Sequence, residues 1–568
     1  MSSSEASDVA LTVAPDLEPQ AAWRGDGAAV VFDEPGCRAA LESLDRPFTV
    51  VRIGDRVGIA SADAGPGASD GPDRGDLLAP APALPSGRLG DPGFRADHGV
   101  SLAYMVGAMA NGIASEELVI ALGRDGLLGS FGAAGLVPAR IDEAIARIRQ
   151  ALPDGPCVFN LIHSPSEEAL ERAAVELYLA RGVRTIEASA FLRMTPHLVR
   201  YRVAGLEEAP DGSVVARNRV IAKLSRREIA THFLLPAPAA MLRDLAEAGW
   251  ITGRQAQLAE RVPLADDITV EADSGGHTDN RPLGVLFPSI VALRDELQAH
   301  HRYARMTRVG AAGGIGSPAA VVAALAMGAA YVVTGSVNQA CVEAETSPHV
   351  RSLLALAEFP DVAMAPAADM FELGVDVQVL KRGTMFPMRA RRLYELYQRH
   401  ASLEEIPTSD RQRLERQLFG RPLEAVWDAV VDYFSERDPA QLERAADDPK
   451  RRMALVFRWY LGLASRWANT GEPGRELDYQ IWCGPAMGSF NDWVRGSALE
   501  PPEARRVAVV GRALMNGAAY LARVFQLEAQ GVRISEPLRA ARPPVAAAKA
   551  ASHPGVAREQ SRTVELSA

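Results

Sequence analysis

The chain has 568 residues, 48% hydrophobic and 23% charged, enough for a large core and, by length alone, about four domains. Its 61 basic and 71 acidic side chains give a formal charge of −10, which argues against a general nucleic-acid binder because no basic excess exists to neutralise phosphates. Four scattered cysteines (Cys37, Cys157, Cys341, Cys483), with no CxxC pair and no zinc spacing, fit a reducing cytosol better than a disulfide scaffold.

Residues 1–27 are expected to form a disordered tail, whose start lacks the basic and apolar regions of a secretory signal. A small α/β segment follows over 28–61, with apolar runs Val30-Val-Phe32 and Phe48-Thr-Val-Val-Arg-Ile53 around a helical stretch near Leu41. Gly, Pro, Ser and Asp crowd residues 62–90 and predict a linker. From 91 to 350, short apolar runs alternate with amphipathic helical stretches. Strands are predicted at 100–106, 127–131, 157–162, 184–188, 219–224, 267–272, 305–311 and 330–334, with helices at 115–122, 141–151, 166–181, 288–298 and 318–327. Ser115 before Glu116 and Glu117, and Ser166 before Glu167 and Glu168, read as helix starts with acids at the positive end of the dipole. Eight such units predict an α/β TIM (β/α)8 barrel in preference to a doubly wound open sheet. The most apolar run, 321–333, breaks at Gly328 into helix and strand, so no membrane span is expected and the protein is expected to be cytoplasmic. Residues 351–535 turn helical and aromatic, with helices at 389–399, 410–418, 423–435, 439–445, 451–467 and 503–530, and predict a helical lobe with barrel-capping segments. The Ala/Pro-rich stretch 536–568 is expected to be a second disordered tail.

Chemistry concentrates where predicted strands end. Arg308-Val-Gly-Ala-Ala-Gly-Gly-Ile-Gly-Ser317 and Tyr331-Val-Val-Thr-Gly-Ser336 are consecutive strands that each run into glycine. Backbone amides left bare by Gly313, Gly314 and Gly335 make a phosphate cradle at the expected end of a barrel; the plainer alternative is that the glycines only relieve tight turns. A Rossmann reading is weaker, because Gly310-Ala-Ala-Gly313 departs from GxGxxG and no acid ends the next strand. Glu271-Ala-Asp-Ser-Gly-Gly-His277 delivers an imidazole to the same face, suited to polarising a carbonyl or supplying a proton, with Asp273 and Asp279 near enough to orient it or to serve as loop acids. A histidine satisfied by loop backbone is the alternative. Lys223 ends an apolar strand, and Asn160 sits inside another; both outline a polar pocket.

Four segments together carry a resemblance. Tyr104-Met-Val-Gly-Ala-Met-Ala-Asn-Gly-Ile-Ala-Ser115, Ser274-Gly-Gly-His-Thr-Asp-Asn-Arg-Pro282, Ala312-Gly-Gly-Ile-Gly316 and Val379-Leu-Lys-Arg-Gly-Thr-Met-Phe-Pro387 look like the flavin-dependent trans-acting enoyl reductases of polyketide and polyunsaturated-fatty-acid synthases. This PfaD-like group belongs to the nitronate monooxygenase-like barrel superfamily, and the resemblance spans roughly residues 90 to 535. It implies that FMN contacts Gly107, Ala108, Met109, Asn160, Lys223, Gly275, Gly276, Ala312, Gly313, Gly314, Gly335 and Ser336, with His277 as the active-site histidine and no metal. It further implies reduction of FMN by NADPH (or NADH), followed by reduction of a 2-enoyl thioester on an acyl carrier protein, the carbonyl polarised by His277 or a backbone amide. Two departures from nitronate monooxygenases favour this reading: Gly335-Ser-Val-Asn338 replaces their Gly-Thr-x-Phe, and the chain continues past the barrel through a Gly/aromatic block at 478–491. Arg389, Arg391, Arg392 and the Lys450-Arg451-Arg452 cluster are candidate docking points for an acidic carrier, or simply solvated helix faces. The rival readings are a nitronate monooxygenase and a non-catalytic flavin-bound synthase scaffold.

Overall fold

The architecture comes from a computed structural model that describes residues 10–61, 73–163 and 168–544, apart from the side chains of 436 and 437. Eight parallel strands close into a barrel: β1 (Tyr104–Val106), β2 (Leu128–Phe131), β3 (Val158–Ile162), β4 (Thr185–Ser189), β5 (Arg219–Leu224), β6 (Asp267–Glu271), β7 (Arg308–Ala312) and β8 (Val332–Thr334). All eight predicted strands are present, and β8 returns to β1 through the Val332–Tyr104 register. Their odd-even pattern fills the lumen with Met105, Leu128, Val158, Ile221 and Val333, while Phe159, Leu161 and Ile186 pack outward under helices.

Ser115 caps the first ring helix, Glu116–Arg124, by accepting from the Leu118 amide. The second expected start, at Ser166 and Glu167, lies outside the described residues; that helix is described from Glu168 to Ala180. The helix expected from residue 288 begins at Leu283 and carries Pro288 in its interior, where proline removes one intrahelical amide bond. Helices Pro196–Ala204 and Arg227–Leu234 were not predicted; the first buries residues on all sides and so shows no amphipathic period.

The ring is closed by Val507–Ala529, which packs between Pro318–Ala326 and Glu116–Arg124. This helix belongs to the barrel layer rather than to the lobe. The intervening chain is a long insertion between β8 and its ring helix. It supplies the strands Asp376–Leu380 and Val362–Pro366, which extend Gly276–His277 of the loop after β6 into a three-stranded sheet, and a helical lobe (Phe386–Arg399, Thr408–Leu414, Leu423–Arg437, Pro439–Ala446, Pro449–Thr470) with its own core around Phe371, Phe419, Phe457 and Tyr460.

The expected N-terminal tail and linker need correction. Ala21–Gly25 and Asp73–Ala81 are strands of one antiparallel sheet, ordered Ala21–Gly25, Asp73–Ala81, Phe48–Ile53, Arg56–Ser61, Val30–Val31. Trp23, fully buried, anchors the first, and Leu77–Ala79 anchor the second; flanking Gly, Asp and Pro disguised both as irregular chain. Leu11–Val13 pairs with Val532–Ile534, and the chain after 536 begins with a short helix, Glu536–Arg539. The sheet is fastened to the ring helix by Arg523, which is buried without a carboxylate partner and donates to the carbonyls of Leu41, Ser43, Leu44, Arg46 and Pro82. All four cysteines are free thiols. Among the described residues no helix is long and apolar enough to cross a membrane.

Candidate active site at the barrel mouth

Every candidate site residue lies at or just beyond the C-terminal end of a barrel strand, except Asn160, which is the middle residue of β3. After β7 the chain turns through Gly313 (φ +83°) and Gly314 (φ +70°), conformations that favour glycine. A Cβ on Gly313 would stand 2.6 Å from the Ala272 backbone, so this loop lies hard against the end of β6. A Cβ on Gly314 or Gly335 would meet nothing within 4 Å, so both loops keep one open side. Ala312 turns into the lumen beneath them.

The Gly/aromatic block reaches this cradle. Leu380 donates to the Ile481 carbonyl (2.8 Å), and the Gly484 amide donates to Ser336 Oγ (2.9 Å). A Cβ on Gly316 would lie 2.0 Å from the Ala486 carbonyl oxygen, and one on Gly275 would lie 2.9 Å from Cys483 backbone. Three chain segments thus interlock through glycine.

His277 stands on a strand edge. Gly276, at φ +80°, turns the chain so that Gly276–His277 pairs antiparallel with Val377–Gln378. The ring Nε2 faces Asp369 Oδ1 at 3.1 Å, and the other ring nitrogen has no hydrogen-bond partner among the described residues. The two side chains remain 38% and 43% exposed. Burial opposes the imidazolium, but Asp369 and Glu271 outweigh it and raise the His277 pKa above its ordinary value. Neither expected orienting acid performs that task. Asp273 accepts from Gln378 Nε2 (2.7 Å) and Asn280 Nδ2 (3.0 Å), while Asp279 accepts from Ser225 Oγ (2.6 Å) and from Arg226. Both acids brace the loop. Asp369, 92 positions from His277, is the partner that sequence reasoning missed, and no local spacing could have shown it.

Lys223 Nζ reaches Glu271 Oε1 across β5 and β6 at 3.3 Å. Burial works against its charge, but Glu271 and Glu187 more than compensate and its pKa is raised. Asn160 Nδ2 donates to the Glu187 carbonyl and Ser189 Oγ, both at 3.0 Å, so its amide nitrogen is committed to β4. At the β1 tip, the Ala108 amide donates to Glu187 Oε2 (2.8 Å), and the Met109 carbonyl accepts from Ala114 (3.2 Å). Glu187 was not singled out, although a lone acid inside an apolar strand is the same signal that marked Asn160.

The mouth therefore combines open glycine loops after the last two strands, a half-buried ammonium, a buried carboxylate oxygen on Glu187 that is unpaired among the described residues, and a carboxylate-backed histidine. That donor set fits a phosphorylated cofactor with its own hydrogen-bond donors and acceptors, such as FMN. Among the described residues no cluster of His, Cys, Asp and Glu could hold a metal. The basic residues expected to dock a carrier are engaged within the lobe: Arg389 with Asp478, Arg391 with Asp376 (2.7 Å), Arg392 with Asp410 (2.9 Å), Lys450 with the Tyr397 and His400 carbonyls, and Arg451 with Gln441 (2.8 Å). Arg452 lies over the Trp427 ring.

Known proteins share this organisation. Residues 100–399 match the profile of nitronate monooxygenase, 23–83 that of the N-terminal domain of fatty acid synthase subunit PfaD, and 400–479 that of the inserted helical domain of [acyl-carrier-protein] S-malonyltransferase. A polyunsaturated fatty acid synthase component of Thraustochytrium sp. is 51% identical over 448 residues, covering 78% of this chain and 30% of that protein. Polyketide biosynthesis protein PksE of Bacillus subtilis is 45% identical over 434 residues, covering 76% of this chain and 56% of that protein. The chain thus spans roughly a third to a little over half of these relatives' length. Among solved structures, the enoyl reductase domain of MlnA, from the macrolactin cluster of Bacillus amyloliquefaciens, superposes with a TM-score of 0.75 and 39% identity over 78% of this chain and all of that one.

Proposed function

The chain belongs to the nitronate monooxygenase family, in the branch that carries a PfaD N-terminal domain, and from that premise we propose that it is a trans-acting enoyl reductase. Its substrates are 2-enoyl thioesters on acyl carrier protein domains of a polyunsaturated-fatty-acid or polyketide synthase. The observation that carries the reading is the His277–Asp369 pair, held on a strand edge beside two open glycine loops. FMN, reduced by NADPH or NADH, supplies the hydride chemistry when bound. The amides of Gly313, Gly314, Gly335 and Ser336 would hold its phosphate, and Gly107, Ala108, Met109, Asn160, Lys223, Gly275, Gly276 and Ala312 would line the rest of its site. Asp369 fixes the imidazole through Nε2, so the other ring nitrogen is the atom offered to a thioester carbonyl or to the α-carbon. The raised pKa extends the protonated, donating form of His277 toward neutral pH.

Nitronate oxidation is the second reading, favoured by the family profile itself. One measurement separates them: anaerobic NADPH oxidation by the FMN-loaded protein, with and without crotonyl-pantetheine. Thioester-dependent oxidation with a saturated product is expected. Flavin that neither NADPH nor NADH reduces would overturn the reductase reading and leave nitronate oxidation in its place.

A further inference from the structure

Glu187 has no part in the chemistry above, yet it lies inside the barrel, bonded to the tip of β1. It is the middle residue of β4, fully buried, and its Oε2 accepts from the Ala108 amide at the tip of β1. Strands β4 and β1 are separated by β2 and β3, so this bond crosses the lumen and fixes the carboxylate inside the barrel mouth. Its second oxygen, Oε1, has no hydrogen-bond partner among the described residues. The neighbouring cation does not supply one: Lys223 makes its ion pair with Glu271, and Glu187 acts on it only through space. Nor does the loop above: the residue there is Gly107, where a Cβ would stand 3.5 Å from Oε1 and a side chain would cover it. Buried carboxylate oxygens are rarely left without a donor, since the desolvation of such an atom is unfavourable unless a hydrogen bond offsets it. The contrast with Asp267 in the same barrel is direct, for both of its oxygens are bonded.

We infer that Glu187 Oε1 is the acceptor for an N–H or O–H donor of the bound flavin, making Glu187 a cofactor-binding residue beyond those named above. This rests on the FMN reading. FMN offers two kinds of donor to such an atom, the N3–H of its ring and the hydroxyls of its ribityl chain. A carboxylate takes either, and Lys223 on the adjacent strand leaves a cation within the same surface for a neighbouring carbonyl.

The test is FMN affinity and melting temperature of the full chain, wild type against Glu187→Gln. In the variant the amide oxygen keeps the Ala108 bond and the NH2 group turns a donor toward the cofactor. The dissociation constant for FMN is expected to rise about tenfold or more, while the flavin-free protein melts no lower than wild type. A purely structural Glu187 gives the reverse, a lower melting point with unchanged affinity, and that result overturns the inference. N3-methyl-FMN and the 2′-, 3′- and 4′-deoxyribityl analogues of FMN separate the donors: the analogue that wild type binds more weakly than FMN, and that the variant no longer distinguishes from FMN, has lost the group that Glu187 contacts. Wild type discriminating against none of the analogues also overturns it. Should Glu187→Gln fail to fold, Glu187→Asp, which keeps the charge and withdraws the oxygen, is expected to lose the same discrimination. Wild type that binds no FMN at all overturns the flavin reading first, before any variant is made.

Discussion

The two ends of this barrel are built on opposite principles. At the N-terminal end the helix Pro92–His98 plugs the lumen, with Phe94 stacked on Tyr331 at 4.2 Å. Asp267, wholly buried at the start of β6, accepts from His98 Nε2 (2.9 Å) and from Arg308 (2.6 and 3.0 Å), and Arg308 also reaches Asp97 at 2.6 Å. At the C-terminal end Glu187 keeps a free oxygen, the glycine loops keep open sides, and the His277–Asp369 pair stays partly exposed. A saturated polar network stabilises one geometry; an unsaturated one leaves valences for a ligand to fill. The lower end holds the barrel shut, and the upper end can therefore remain incomplete.

The largest effect is expected where the network is complete. Burial would raise the Asp267 pKa, but His98 and Arg308 prevail and hold it down at about 2. Asp267→Asn leaves the Arg308 guanidinium with Asp97 as its remaining counter-charge and is expected to cost about 3 kcal/mol, the lower end for a broken buried pair, read by urea unfolding. The sign with pH follows from the depressed pKa. The stabilisation is full above the unfolded carboxylate value, about 3.9, and is lost as pH falls toward 2. The variant should therefore lose the part of the acid dependence that lies in that window. A variant as stable as wild type would break the comparison outright.

A smaller effect is expected at the cradle. Gly316→Ala forces a Cβ against the Ala486 carbonyl, backbone against backbone, so the Gly/aromatic block must move off the β7 loop. Overpacking of this kind costs about 1–3 kcal/mol, but the sharper readout is flavin content after purification, which should fall more steeply than stability. Equal losses in both would make the block a structural cap rather than part of the site.

How much of this was legible in the sequence depends on the range of the interaction. The strands were legible because each is a short apolar run whose inward and outward faces are both buried, and the glycine loops because they follow consecutive strands. The strand Asp73–Ala81 was not, since its Asp, Gly and Pro are those of a linker and only pairing with Ala21–Gly25 and Phe48–Ile53 makes it a strand. The helix Val507–Ala529 was legible as a helix but not as the eighth of the ring, because the insertion before it hides the β8 connection. Within the site, residue types were readable and partners were not. Asp273 and Asp279 sit closest to His277 in sequence, yet the backbone turns them toward Gln378 and Ser225 and brings Asp369 from the insertion.

That insertion-borne carboxylate supports the most delicate prediction. Asp369 is the strongest influence raising the His277 pKa against burial, with Glu271 adding to it and Lys223 opposing. Asp369→Asn keeps a hydrogen-bonding side chain in place but removes the charge, so burial gains weight and the His277 pKa falls. If His277 acts as proton donor, activity is lost as pH rises through that pKa, and the alkaline limb of kcat/KM for crotonyl-pantetheine should move to lower pH in the variant. Both side chains are partly exposed, so solvent screening keeps this effect modest beside the loss expected for Asp267. The stability linkage has the same sign: a raised histidine pKa stabilises the fold below the unfolded value of about 6.5, and that contribution disappears as pH rises through the folded value. Wild type should therefore lose slightly more stability than Asp369→Asn as pH rises above the unfolded histidine value and through the raised folded one. An alkaline limb that stays where it was would mean that His277 orients the substrate without giving up a proton, and the chemistry of the open end would then have to come from a backbone donor.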